Sequence, residues 1–100
     1  KRSLRVEILF YGFVRDIVNT SKIVIDTPDQ ATLRELLDLA AERFGERLRE
    51  RLLSTSGELA SNVQIFVGER PTTSLDEPID HGHDLSTEVK VFVLSATAGG

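Results

Sequence analysis

The longest periodic stretch of this chain, Thr32 to Gly45, is written for a helix, while the apolar segments around it alternate. Thr32 and Glu35 have the spacing of a capping box, in which each side chain takes up a backbone N–H left free at the helix start. Leu33, Leu36, Leu37, Ala40 and Phe44 recur on one face, and Gly45 stands where a C-terminal cap belongs. A helix with one apolar stripe has to bury that stripe. With strands as its neighbours, the outcome is a sheet with this helix on one face, a two-layer α+β domain.

The strands follow from period-two alternation. Leu4 to Tyr11 puts Leu4, Val6, Ile8 and Phe10 on one side and Arg5, Glu7, Leu9 and Tyr11 on the other. Gly12 to Ser21 reads as a connection, with Phe13, Val14, Ile17 and Val18 as anchors into the core. Lys22 to Asp26 is a short β-branched strand that pairs with the first as a hairpin with a long loop. Glu46 to Leu53 can continue the helix as a short second one burying Leu48, Leu52 and, at its end, Leu53; its Arg47, Arg49 and Arg51 read as a solvated face. Ser54 to Gly57 is a loop, Asn62 to Val67 a strand, and Gly68 to Pro71 a turn. Leu75 and Ile79 are isolated apolar anchors, Asp80 to Asp84 is turn-rich, and Val89 to Leu94 is the last strand.

The same alternation predicts what each sheet face carries. Leu4, Val6 and Ile8, Val63, Ile65 and Val67, and Val89, Val91 and Val93 would face the helix. The opposite face would carry Leu9, Tyr11, Phe66, Phe92 and Leu94, with Gln64 and Lys90 among them. Solvent-facing sheet surfaces are ordinarily polar, so a contiguous apolar set there points either to loops folded over it or to a partner. The reading taken is a partner face.

Composition removes several function classes. A net charge of −4 gives no electrostatic reason to bind nucleic acid or an anionic membrane. No apolar run approaches the ~20 residues of a membrane span. Cysteine is absent, which excludes disulfides, thiolate metal sites and a cysteine nucleophile. His81 and His83, between Asp80 and Asp84, are too few for a metal site and read as a surface turn, so no metal is expected. There is no phosphate-cradling glycine loop and no G-x-S-x-G setting, so the chain is not expected to be an enzyme by itself.

The last segment, Ser95-Ala96-Thr97-Ala98-Gly99-Gly100, has no large side chain and no charge. Glycine lacks Cβ, so a backbone that ends this way can thread a narrow channel. The division expected is a domain over 1–94 and a flexible diglycine tail over 95–100, poised to enter another protein's active site. The alternative for such a segment is a frayed terminus.

These segments, in this order, resemble the β-grasp or ubiquitin-like fold, and more narrowly the MoaD/ThiS group of sulfur carriers and the related ubiquitin-like modifiers. Val6 to Asp16 resembles the family's opening strand and the segment after it, and Ala31 to Leu37 the helix start. Asn62 to Arg70 resembles the strand and turn in the middle, and Ser95 to Gly100 the tail. Two departures are a Leu-Ser-Thr-Glu insertion after Asp84 and the lack of a proline-containing stretch before the tail. The resemblance implies a mixed four- to five-stranded sheet with one main helix packed on one face. It also implies a carrier whose Gly100 carboxylate is adenylated by a partner enzyme and then converted to a thiocarboxylate, with molybdopterin (molybdenum cofactor) biosynthesis as the pathway. Gly100 would be the acyl site and Gly99 would let a channel close around the chain. Leu9, Tyr11, Phe66, Phe92, Leu94 and Ala98 would meet the partner. No cofactor would be bound by this chain, since ATP is used by the ubiquitin-activating-type adenylating enzyme. A molybdopterin synthase large subunit would be the second partner, and the setting cytoplasmic. The alternatives are a protein modifier joined to lysines through Gly100, or a ubiquitin-like module that only binds.

Overall fold

The computed structural model describes residues 3–28, 30–79 and 86–95. Strand β1 (Ser3–Gly12) leads through one helical turn, α1 (Arg15–Val18), into strand β2 (Lys22–Pro28). Helices α2 (Leu33–Phe44) and α3 (Glu46–Leu52) follow, then strands β3 (Val63–Val67), β4 (Arg70–Thr72) and β5 (Ser86–Val93). The five strands form one mixed sheet in the order β2-β1-β5-β3-β4. β5 sits at its centre, parallel to β1 from Arg5↔Ser86 to Gly12↔Val93 and antiparallel to β3 from Val63↔Val93 to Val67↔Val89. This is the ubiquitin-like β-grasp, an α+β fold with its helices on one side of the sheet.

One face of the sheet and the stripe of α2 make the core. Leu4, Val6, Ile8 and Phe10 of β1 are buried with Val89, Val91 and Val93 of β5, Val63 and Ile65 of β3, and Leu33, Leu36, Leu37 and Ala40 of α2. Val67, expected among them, packs only partly against this cluster. The capping box forms as its spacing requires: Glu35 N–H donates to Thr32 Oγ1 at 3.2 Å, and Thr32 N–H to Glu35 Oε1 at 2.8 Å. Two further N–H groups at the start of α2 go to the segment 75–79: Leu33 N–H to the Glu77 carbonyl at 3.3 Å and Arg34 N–H to that of Leu75 at 2.8 Å. Leu75 and Ile79 are buried, so the polar segment between them is pinned at both ends.

Four expectations need correction. The connection after β1 contains α1, because Val14 and Val18, four apart, are both buried and turn the chain; Asn19, left-handed at φ 56°, ends it. Phe13, expected in the core, is 51% exposed. The stretch read as a turn at Gly68 to Pro71 carries β4, three residues antiparallel to Ile65–Val67, where Pro71 is tolerated because the strand is an edge. The last strand does not begin at Val89: Ser86, Thr87 and Glu88 are the first residues of β5, paired with Arg5, Val6 and Glu7. Their polarity hid them, because three polar residues in a row show no apolar alternation.

The arginines of α3 are also more than a solvated face. Arg49 binds Glu46 at 3.0 Å and Asp38 of α2, which locks the two helices together. Arg51 donates to the Phe13 carbonyl and lies 3.4 Å from Asp16, which ties α3 to the α1 turn.

Candidate functional site

On the face away from α2, five side chains predicted to share a surface do share one: Leu9 and Tyr11 from β1, Phe92 from β5, Phe66 from β3, and Leu94 just beyond β5. Tyr11 lies opposite Phe92 in the parallel register, and their rings stack with centroids 4.5 Å apart at 11°. Phe66 meets Phe92 edge-on, at 5.8 Å and 80°. Offset-stacked and edge-to-face pairs are the arrangements that the ring quadrupole favours. The described loops do not close over this cluster, since Tyr11 is 37% and Leu94 65% exposed. Lys90 stands within the set, opposite Leu9 on one side and Phe66 on the other, and its Nζ lies 3.6 Å from Glu88. Contiguous apolar side chains left open on a sheet face are the kind of surface that marks an interaction site, which makes this cluster the candidate.

The cluster sits where β5 ends. Phe13, the other large apolar side chain left open, stands at the same end of the sheet; its N–H donates to the Val93 carbonyl at 3.0 Å. Leu94 N–H donates to the Asn62 carbonyl at 2.8 Å, and Asn62 Nδ2 donates to the Ser95 carbonyl at 2.8 Å. Phe13 and Asn62 stand beside the cluster though the sequence does not single them out: Phe13 reads there as a core anchor and Asn62 as the first residue of a strand, and a buried amide beside a strand end is a feature that alternation does not reveal. Ala98, Gly99 and Gly100 lie outside the described residues, as do Asp80, His81, His83 and Asp84.

Elsewhere the surface offers less chemistry. A groove beside α2 and α3 is lined by Arg34, Asp38, Arg49 and Leu53. Both of its arginines are already committed, Arg34 to Asp76 and Arg49 to Asp38 and Glu46. Among the described residues no group of three or more His, Cys, Asp or Glu could hold a metal ion, and no helix is long and apolar enough to cross a membrane.

Fold and surface together define a ubiquitin-like β-grasp protein with an open aromatic sheet face. No protein-family model matches the chain. Over 56 residues it is 34% identical to the molybdopterin synthase sulfur carrier subunit of Drosophila erecta, a match that takes in 55% of this chain and 62% of that one. The chain thus spans about three fifths of the length of the curated relative it matches. The crystal structure of SAMP1 from Haloferax volcanii superposes with a TM-score of 0.76 over 96% of this chain and 99% of that one, at 18% identity. The solution structure of the HVO 2177 protein of the same organism gives 0.74 over 100% and 90%, at 25% identity. The resemblance to MoaD-like, ubiquitin-fold sulfur carriers is therefore present in sequence as well as in fold.

Proposed function

We propose that this chain is a sulfur carrier whose Gly100 carboxylate is activated and thiolated by partner proteins, for the synthesis of molybdopterin. The observation that carries the proposal is the open aromatic face of Tyr11, Phe66, Phe92 and Leu94 at the end of β5, from which the chain leads to Gly99-Gly100. The 34% identity to a molybdopterin synthase sulfur carrier subunit supports the same reading. The body docks through the aromatic face. With Ser95 held by Asn62, the residues from 96 to 100, if fully extended, reach about 17 Å, enough to bring Gly100 into a buried site.

In the activation step a Gly100 carboxylate oxygen attacks the α-phosphorus of ATP held by the adenylating enzyme, and pyrophosphate leaves. The acyl-adenylate carbonyl is electrophilic because AMP departs far more readily than oxide. A hydrosulfide-equivalent donor adds at that carbon, AMP leaves, and Gly100 ends as a thiocarboxylate. This chain has no cysteine, so the sulfur nucleophile comes from a partner. The chain is substrate and recognition surface, not catalyst, and holds no cofactor of its own. The thiocarboxylate then passes to a molybdopterin synthase large subunit in the cytoplasm.

Incubating a chain that ends at Gly100 with ATP, the host adenylating enzyme and a sulfur donor should raise its intact mass by about 16 Da, the exchange of oxygen for sulfur on an activated acyl group. An unchanged mass beside an active control would overturn the carrier reading in favour of a module that only binds. A ladder of conjugates on other proteins would replace it with a modifier.

A further inference from the structure

We infer that Asn62 is a positioning residue that aims the chain leaving β5, and so sets how Gly100 is delivered. The sheet ends in an unusual way at this point. Val93 is the last residue of β5 in register with β3, opposite Val63. One residue further, Leu94 N–H still finds a backbone partner, the Asn62 carbonyl at 2.8 Å. The next group in line, the Ser95 carbonyl, is met by the Asn62 side chain instead, with Nδ2 at 2.8 Å. A side-chain amide meets Ser95 where β3 offers no further backbone partner, so Ser95 is held in place just beyond the end of β5.

Asn62 is itself firmly held. Ala60 N–H donates to the Leu52 carbonyl at 2.9 Å, and Val63 N–H to the Ala60 carbonyl at 3.0 Å, which hang the short turn on the end of α3. From the other side Phe13 N–H holds the Val93 carbonyl at 3.0 Å. Val93 is thus held from the β1 side, and Leu94 and Ser95 from Asn62 on the β3 side. Asn62 is 7% exposed, and its Oδ1 finds no hydrogen-bond partner among the described residues. An unpaired buried acceptor is a liability that an apolar residue of similar size would remove. A residue present only for packing would have no reason to be an asparagine; the Nδ2–Ser95 bond supplies one. Fixing Ser95 fixes the point from which the chain leaves the sheet, which matters when an acyl group must reach a site within a fraction of an ångström.

The functional half of this inference rests on the carrier reading; the structural half does not. In the unaltered protein, the Asn62 side-chain amide protons should exchange slowly with solvent. Exchange as fast as that of an exposed asparagine would overturn the inference whatever the protein's function. In Asn62→Leu, which keeps size and removes the amide, the unfolding midpoint should be unchanged or higher, while ¹⁵N order parameters at Leu94 and Ser95 fall. Adenylation of Asn62→Leu should show kcat lower by about tenfold at unchanged KM, because the docking face is intact and only delivery is impaired. A KM increase alone, or an unaltered kcat with the unaltered protein active, would overturn the positioning role. An unaltered protein that is not adenylated at all would instead sink the carrier reading, leaving the amide exchange to decide the structural half.

Discussion

Gly12 shows how much can hang on one missing atom group. Its φ is +83°, a region open to glycine and costly for other residues. A Cβ built there would lie 2.3 Å from the carbonyl oxygen of Val93, its partner across the parallel pair. Gly68 offers the comparison: its φ is +63°, but nothing lies within 4 Å of where a Cβ would go. Gly68→Ala should therefore cost about 1 kcal/mol, from backbone strain alone. Gly12→Ala should cost about 2–3 kcal/mol, because strain and a backbone collision add. Denaturant titration of both variants checks this, and equal losses would mean that β1 and β5 move apart freely at this end. Nothing in the local sequence distinguishes the two glycines. Both precede or sit in a turn, and the collision exists only because β5, some eighty residues later, comes back alongside. The same long-range dependence hid Phe13 and Asn62, whose surroundings are set by β5 rather than by their neighbours in the chain.

Among the elements, the segment 75–79 shows how a stretch without regular structure is kept in place. Besides its two buried anchors and the N–H groups of α2, it is held by Arg34, whose Nε lies 2.9 Å and Nη2 3.3 Å from the two oxygens of Asp76. A third arm of the same guanidinium donates to the Gly57 carbonyl at 2.8 Å, so one side chain ties two loops to α2. The hydrogen bond from Arg34 holds the Asp76 carboxyl below the usual carboxylate range. A carboxyl with a depressed folded value contributes stability at pH values above its unfolded value of about 3.9, and loses it as pH falls through the folded one. Asp76→Asn should thus lower the unfolding midpoint modestly at pH 7, and the difference should shrink as pH falls through the folded value of Asp76. A difference that does not shrink on acidification would show that the loss is one of packing, not charge. Elements with a strong period, β1, β2, α2, β3 and the apolar half of β5, were legible from the sequence. The polar start of β5, the three residues of β4 and the single turn of α1 were not, because each is too short or too polar to show a period and exists by pairing or packing with something distant.

At the scale of the molecule, the carrier reading separates two tasks that one chain must perform: the body docks, and the terminus reacts. The apolar outer face was readable because alternation fixes which side chains share a side of a strand, whatever the order of strands. Its exposure depended on which loops cover the sheet, and that is a property of the whole fold. If the tasks are separable, they should fail separately. A chain carrying one extra residue after Gly100 retains the aromatic face and has no reactive glycine carboxylate, so it should not be adenylated but should inhibit adenylation of the unaltered chain competitively. Adding Phe92→Lys to that blocked chain removes the ring that both Tyr11 and Phe66 contact and places a charge in the apolar patch. Hot-spot aromatics of this kind carry upward of about 2 kcal/mol, so the inhibition constant should rise by about thirtyfold or more. Phe92 is half-buried on the outer face, not in the core, so the doubly altered chain should keep its fold by circular dichroism. A blocked chain that fails to inhibit would mean that the terminus, not the face, provides the affinity, and the sheet surface would lose its assigned role.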